Sequence, residues 1–244
     1  ITDLRALQML GQTGRLDEYV LKNEMKVLRE TDAVVSYKYF NEALREKYGF
    51  SKKFFVPCIA TSVDLQPRKH IREEGCPVRV AFVTYTIDKR FFEDMLDSLP
   101  VMDGVEYHLY GGEGEWIKKL GRRDFHYQGF LLPSELVERL SATCDLGLVS
   151  YPDNIASYAA LGYLHKLSTY TLSGLPVLSA SNLTYTCELI EKYGFGESFS
   201  DIDELREAIR HCTGEDQYLE LSENSYRFAK KLSSGYFLKE SVRM

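Results

Sequence analysis

Apolar positions along this chain switch repeatedly between a helical and a strand period, and the switching predicts an α/β succession. Between Arg15 and Glu30, Leu16, Val20 and Val27 make one apolar stripe beside Leu21, Met25 and Leu28, while Glu18, Lys22, Glu24, Lys26 and Arg29 stay polar. That spacing predicts an amphipathic helix. Asp32 then leads into Ala33-Val34-Val35-Ser36, a short buried strand. Phe40 to Tyr48 reads as a helix closed by Gly49, and Phe54-Phe55-Val56 as a strand ended by Pro57. The charged run Arg68 to Glu74 and the Cys76-Pro77 pair read as a linker. Val78, Val80 and Phe82 alternate with Arg79 and Ala81 as a strand, and Phe91, Phe92, Met95, Leu96 and Leu99 give a helical face. Val105, Tyr107 and Leu109 alternate as a further strand that ends in the glycine-rich turn Tyr110-Gly111-Gly112-Glu113-Gly114. Ser134 reads as the N-cap of a helix that buries Leu136, Val137 and Leu140.

The stretch from Ser150 to Ala180 organises the rest. Leu146, Leu148 and Val149 enter it as a strand, and Pro152, Asp153 and Asn154 break that strand. Leu164, Leu167, Tyr170 and Thr171 share a helical face, Gly174 stops the helix, Pro176 follows, and Val177 and Leu178 open the next strand. A unit of this kind aims its loop and helix N-terminus at the carboxyl edge of a parallel sheet, where open α/β sheets bind ligands and anions are favoured. Lys166 adds a full positive charge in the first turn of that helix. Downstream, Tyr185 to Tyr193 reads as a helix stopped by Gly194. Ser198-Phe199-Ser200 begins a strand, Asp201 with Glu204 forms a capping box, and Tyr218 to Leu232 is a last helix.

The 244 residues, 44% of them hydrophobic, suffice for one large or two small domains. No run approaches the roughly 20 apolar residues of a membrane span. The net charge of −6 argues against a nucleic-acid partner without excluding a local basic pocket. Cys58, Cys76, Cys144, Cys187 and Cys212 are odd in number and form no CxxC pair, which points to reduced thiols in the cytoplasm. There is no GxGxxG fingerprint and no P-loop. No carboxylate cluster or DxD triplet implies a metal.

His165-Lys166-Leu167-Ser168-Thr169-Tyr170, followed by Ser173-Gly174-Leu175-Pro176-Val177, resembles the signature of bacterial glycosyltransferases of the GT-B fold. The branch it resembles most holds galactofuranosyltransferases and adhesin glucosyltransferases. Thr31-Asp32-Ala33-Val34-Val35-Ser36, Val56-Pro57 and Phe125-His126-Tyr127-Gln128-Gly129-Phe130-Leu131 are similar to further segments of the same fold. The resemblance implies two Rossmann-like parallel sheets with helices on both faces. Residues 1–66 would be a partial N-terminal, acceptor-side domain, 77–213 the nucleotide-sugar-binding domain, and 214–244 a helical segment returning towards the N-terminal domain. A complete domain of this kind needs about 150 residues, and the chain starts at Ile1. The first half of the N-terminal domain, with the usual acceptor site and catalytic base, is therefore expected to be missing.

The resemblance also assigns roles. Lys166 would face the diphosphate and stabilise the leaving group. Thr84, Lys89 and Arg90 would hold phosphates from the first strand-to-helix loop; apart from the resemblance, Lys89 and Arg90 read as solvated charges at a helix start. Gly129 and Phe130 would receive the base, and His126 reads as a strand residue. Asn154 and Thr169 would help with ribose or phosphate, and Tyr158 would stack on or hydrogen-bond the ligand. The ribose-binding glutamate of many GT-B enzymes is Thr169 here, and its partner eight residues earlier is Leu161, so the usual glutamate pair is absent.

The implied reaction moves a hexosyl or related sugar from a nucleoside-diphosphate donor, UDP-linked or otherwise, to a glycan, lipid-linked or protein acceptor in surface polysaccharide synthesis. It would need no metal and no cofactor beyond the donor substrate. A cytoplasmic protein at the inner face of the membrane, peripheral membrane association and homo-oligomer formation are compatible with this reading. The competing readings are a non-catalytic GT-B-like partner subunit and a different sugar-nucleotide enzyme, such as an epimerase, on the same fold.

Overall fold

A computed structural model of the chain describes residues 15–35, 37–51, 53–55, 75–152, 155–156, 159–160, 162–237 and 239. The expected α/β succession is present. Helix α1 (Arg15–Glu30), strand β1 (Ala33–Val35), helix α2 (Lys38–Tyr48) and strand β2 (Lys53–Phe55) come first. β1 and β2 pair in parallel, Ala33 opposite Lys53 and Val35 opposite Phe55. In α1, Met25 and Leu28 are buried, but Val27 is 55% exposed. Val27, on the stripe it shares with Leu16 and Val20, therefore faces solvent, and the adjacent face that carries Met25 and Leu28 is the buried one.

A six-stranded parallel sheet carries the rest. Its strands are β3 (Val78–Thr86), β4 (Val105–Gly112), β5 (Phe125–Gly129), β6 (Leu146–Val149), β7 (Val177–Ala180) and β8 (Gly196–Phe199), in the spatial order β5-β4-β3-β6-β7-β8. The connecting helices are α3 (Lys89–Asp97), α4 (Pro133–Thr143), α5 (His165–Leu172), α6 (Thr184–Tyr193) and α7 (Ile202–Cys212), and α8 (Glu215–Ser233) closes the succession. The strand order runs outward from β3 to one edge, then resumes from β6 to the other. That reversal between β3 and β6 is the topological switch point, where the helices on either side diverge and leave a crevice.

Period-two alternation sorts the strand residues between two cores. Val80, Phe82, Tyr107, Leu109, Leu146 and Leu148 pack with Phe92 and Leu96 of α3 and with Leu205 and Ile209 of α7. Ala81, Val83, Tyr110, Val149 and Val177 pack on the opposite face with Leu136 and Leu140 of α4, Leu167 and Tyr170 of α5, and Phe228 of α8. Tyr37 and Tyr39, from the N-terminal segment, pack against the edge of this second core, where Tyr185 lies 6.0 Å and 6.3 Å from their rings.

Several helix ends follow the sequence. Gly174 (φ 72°) and Gly194 (φ 62°) take the left-handed conformation just beyond α5 and α6. Asp201 caps α7 by accepting from the Asp203 and Glu204 N–H groups at 2.9 Å. Glu204 reaches one residue further back than a capping box requires and accepts from the Ser200 N–H at 2.7 Å. Ser134 is not a cap. α4 starts at Pro133, with Leu132 at the N-cap position and the Glu135 carboxylate accepting from the Leu132 N–H. Proline favours the first helical position because its fixed φ suits the helix and its missing N–H would have no intrahelical partner. Trp116 is structural, its indole N–H donating to the Ile87 carbonyl at 2.7 Å. Among the described residues no helix is long and apolar enough to cross a membrane.

Candidate functional site

Helix α5 is short and almost wholly enclosed. Lys166, Leu167, Ser168, Tyr170, Thr171 and Leu172 are all buried, leaving only His165 and Thr169 with substantial exposure. Serine hydroxyls of α8 fix the turn that follows it. Ser222 donates to the Gly174 carbonyl at 2.7 Å and Ser225 to the Leu175 carbonyl at 2.8 Å. Tyr170 anchors the middle. Its hydroxyl donates to the Leu148 carbonyl and accepts from the Val83 N–H, both at 2.9 Å, so one phenol bridges β3 and β6 where their pairing ends at Phe82–Leu148. The ring lies over Gly147, where an added Cβ would come within 2.3 Å of it. A glycine in β6 is what lets the aromatic ring sit flat on the sheet.

With the helix fixed in this way, its first turn opens into a cavity of about 620 Å³ at the carboxyl edge of the sheet. Val83, Thr84 and Tyr85 line it from β3, Tyr110 and Gly111 from β4, and Phe130, Leu131, Pro133 and Leu136 from the β5–α4 segment. Tyr151, Tyr163, Leu164, His165, Lys166 and Thr169 complete the wall. The α5 N-cap is Leu164, whose side chain accepts no hydrogen bond, so the first-turn N–H groups carry no side-chain cap. Tyr85 and Phe130 meet edge to face at the mouth, ring centres 5.5 Å apart, and both are exposed.

Lys166 dominates the electrostatics. It is only 7% exposed, and its Nζ has no hydrogen-bond partner. The ammonium instead lies over two rings, 4.0 Å from the centre of Tyr151 and 4.8 Å from that of Phe82. Ring faces attract a cation but replace little of its lost hydration. Burial accordingly pulls the lysine down to about 7. None of the lining residues is an aspartate or glutamate. Burial pushes the Tyr151 phenol up to about 12, so it remains a neutral hydroxyl. The cavity thus offers one unpaired cation, neutral hydroxyls and helix N–H groups, a donor set suited to an anion.

The residues expected from sequence divide clearly. Lys166, Thr84, Phe130 and Thr169 share this cavity. Thr169 donates weakly, at 3.4 Å, to the His165 carbonyl. Gly129 ends β5 with φ 80°, a left-handed turn that sends the chain into Phe130 at the mouth. Lys89 and Arg90 start α3 outside the lining. Lys89 pairs with Glu93 at 3.3 Å, and Arg90 folds back on Asp88, which also caps the helix. Asn154 and Tyr158 lie outside the described residues. Reading the sequence missed Tyr85, Tyr151 and Tyr163. Their only signal was an aromatic residue at or just beyond a strand end or before a helix, which does not separate packing from ligand contact.

Comparison with known proteins places the chain in context. Residues 82–244 match the family model described as the glucosyltransferase 3-like C-terminal domain. Glucosyltransferase 3 of Streptococcus gordonii is 34% identical over 118 residues, an alignment covering 47% of this chain and 34% of that protein. HepE of Anabaena, solved with UDP-glucose, superposes with a TM-score of 0.67 at 15% identity over 97% of this chain and 69% of its own. The pneumococcal O-GlcNAc transferase GtfA, solved with UDP and GlcNAc, gives 0.60 at 14% identity over 92% of this chain and 47% of its own. WaaG, a glycosyltransferase of lipopolysaccharide biosynthesis, gives 0.63 at 15% identity over 99% of this chain and 72% of its own. The likeness to solved structures confirms the expected GT-B-type α/β fold.

Proposed function

Because the chain belongs to the glucosyltransferase 3-like C-terminal domain family, we propose that its cavity holds the nucleoside-diphosphate part of a sugar donor. The chain would then serve as the donor half of a glycosyltransferase. It spans about a third of the curated relative it matches, so transfer itself is proposed for the longer protein. The observation that carries this reading is the buried, unpaired Lys166 ammonium facing a carboxylate-free cavity at the switch point of the sheet. A lone buried cation is costly unless an anion joins it, and a diphosphate supplies the missing charge.

The chemistry follows from where charge develops. As the bond from the sugar to the diphosphate breaks, negative charge grows on the terminal phosphate oxygens. Lys166 and the first-turn N–H groups of α5 stabilise that charge more in the transition state than in the donor, and this differential lowers the barrier. Phe130 and Tyr85 flank the opening, where a base or sugar ring can stack. Thr169 offers the ribose one hydroxyl in place of the carboxylate common in GT-B enzymes. UDP as the nucleotide is supported by its presence in the HepE and GtfA complexes. Hexosyl transfer, a metal-free leaving-group site and a surface glycan, lipid-linked or protein acceptor belong to the same proposal.

Calorimetric titration of this chain with UDP and GDP, repeated on Lys166→Ala, tests the reading. Saturable binding of one nucleotide, weakened at least tenfold in the variant, is the expected result. Equal binding by the wild type and the variant would refute the role of Lys166. Absence of binding to any nucleoside diphosphate would refute the donor site in this half of the protein.

A further inference from the structure

On the core face that holds Tyr110, the outer strands carry a polar corner that the proposed reaction does not use. Glu106 and His108 are two residues apart on β4, hence on the same face of the sheet. His126 on β5 stands directly opposite His108 in the parallel register. The two imidazole rings lie 5.2 Å apart, tilted by 51°. The Glu106 carboxylate lies between them, its Oε2 3.5 Å from His108 Nε2 and 3.7 Å from His126 Nε2. One donor atom from each of the three residues falls within 4.8 Å of the others. His126 Nε2 is shielded from solvent yet has no hydrogen-bond partner.

We propose that Glu106, His108 and His126 form a binding site for a single zinc ion, separate from the cavity, that ties edge strand β5 to β4. Two donors bound to one zinc at about 2.0–2.2 Å sit roughly 3.3 Å apart in a tetrahedral arrangement, close to the 3.5 Å and 3.7 Å that separate Glu106 Oε2 from the two imidazole nitrogens. Two imidazoles and one carboxylate are too nitrogen-rich for magnesium or calcium and suit zinc. Arg79 of β3 stands opposite Glu106 in register. Its guanidinium is turned towards the Thr143 carbonyl at 3.4 Å. Three protein ligands leave a fourth position for water or an outside donor.

Zinc binding at this corner is independent of nucleotide binding in the cavity. Zinc is titrated calorimetrically into chelator-treated chain, with thermal unfolding recorded in parallel on the wild type, His126→Ala and Glu106→Gln. His126 is a suitable first variant because its side chain is 40% exposed, so its loss leaves the cores intact. The expected result is one zinc per chain, a raised unfolding midpoint in the wild type, and at least tenfold weaker binding in each variant. Partly exposed thiols such as Cys76 and Cys187 could also take up zinc. Binding that persists unchanged in His126→Ala would belong to such groups and would overturn the site. Failure of the wild type to bind zinc saturably would overturn it as well.

Discussion

Replacing Lys166 with methionine keeps most of the side-chain volume and removes the charge. Burial brings this lysine from an ordinary 10.5 to about 7. At about 1.36 kcal/mol per tenfold, that gap corresponds to an upper figure of roughly 4–5 kcal/mol by which the buried charge opposes folding below pH 7. Water reaching the amine through the open cavity, and the attraction of Tyr151 and Phe82, offset part of it. A gain of about 2–3 kcal/mol for Lys166→Met at pH 6 is expected. The sign with pH follows from linkage. Between about 7 and 10.5 the unfolded chain holds a proton on this lysine that the folded chain has released, so wild-type stability gains a contribution that rises with pH across that window. The advantage of the methionine variant is therefore full below pH 7 and shrinks above it. Urea unfolding of both proteins at pH 6, 7, 8 and 9 measures the difference directly. If the variant is no more stable at pH 6, or if the difference does not change with pH, the account of Lys166 as a strained, unpaired cation is wrong. The same variant should lose nucleotide affinity, so a group that destabilises the fold would be the one the ligand needs.

Further outcomes follow from the same geometry. An anion beside Lys166 favours its charged form, so UDP binding should take up a proton and weaken as pH rises above about 7, by up to about tenfold per pH unit, readable by calorimetry in buffers of different ionisation enthalpy. Gly147→Ala drives a methyl group into the Tyr170 ring and should cost about 1–3 kcal/mol in urea unfolding. Tyr170→Phe strands the buried Val83 N–H and should cost a similar amount. Thr169→Ala should weaken UDP binding by about 1 kcal/mol, whereas Lys89→Ala and Arg90→Ala, whose charges are engaged with Glu93 and Asp88 outside the cavity, should each change it less than about twofold.

What was legible in the sequence was mostly local. The alternation of Val78, Val80 and Phe82, the stop at Gly174 and the cap at Asp201 are decided within a few residues of chain, and each matches the structure. The signature around Lys166 also located the main cation, because a strand–loop–helix unit can point its helix start in only one direction relative to a parallel sheet. The rest depended on side-chain geometry or on strand pairing. Lys89 and Arg90 sit beside the right loop, but whether a basic side chain turns into a crevice or back onto its own helix depends on the acids around it, here Asp88 and Glu93. Glu106, His108 and His126 converge only through the pairing of β4 with β5, and no spacing along the chain announces a register. Tyr170 looked like one more apolar position on a helical face. Its hydrogen bonds to two strands depend on β3 and β6 being neighbours despite the 59 residues of chain between Thr86 and Leu146.

The enclosure of α5 limits how its ligand preference could be retuned. Six of its eight residues are committed to the interior, and the two that remain, His165 and Thr169, lie one turn apart and both line the cavity. Changes elsewhere on the helix would be felt first as altered folding and only secondarily as altered recognition. A library aimed at a different donor therefore has two useful positions on this element, and the rest of its diversity belongs on the rim, at Tyr85 and Phe130, where side chains are exposed and the fold asks little of them.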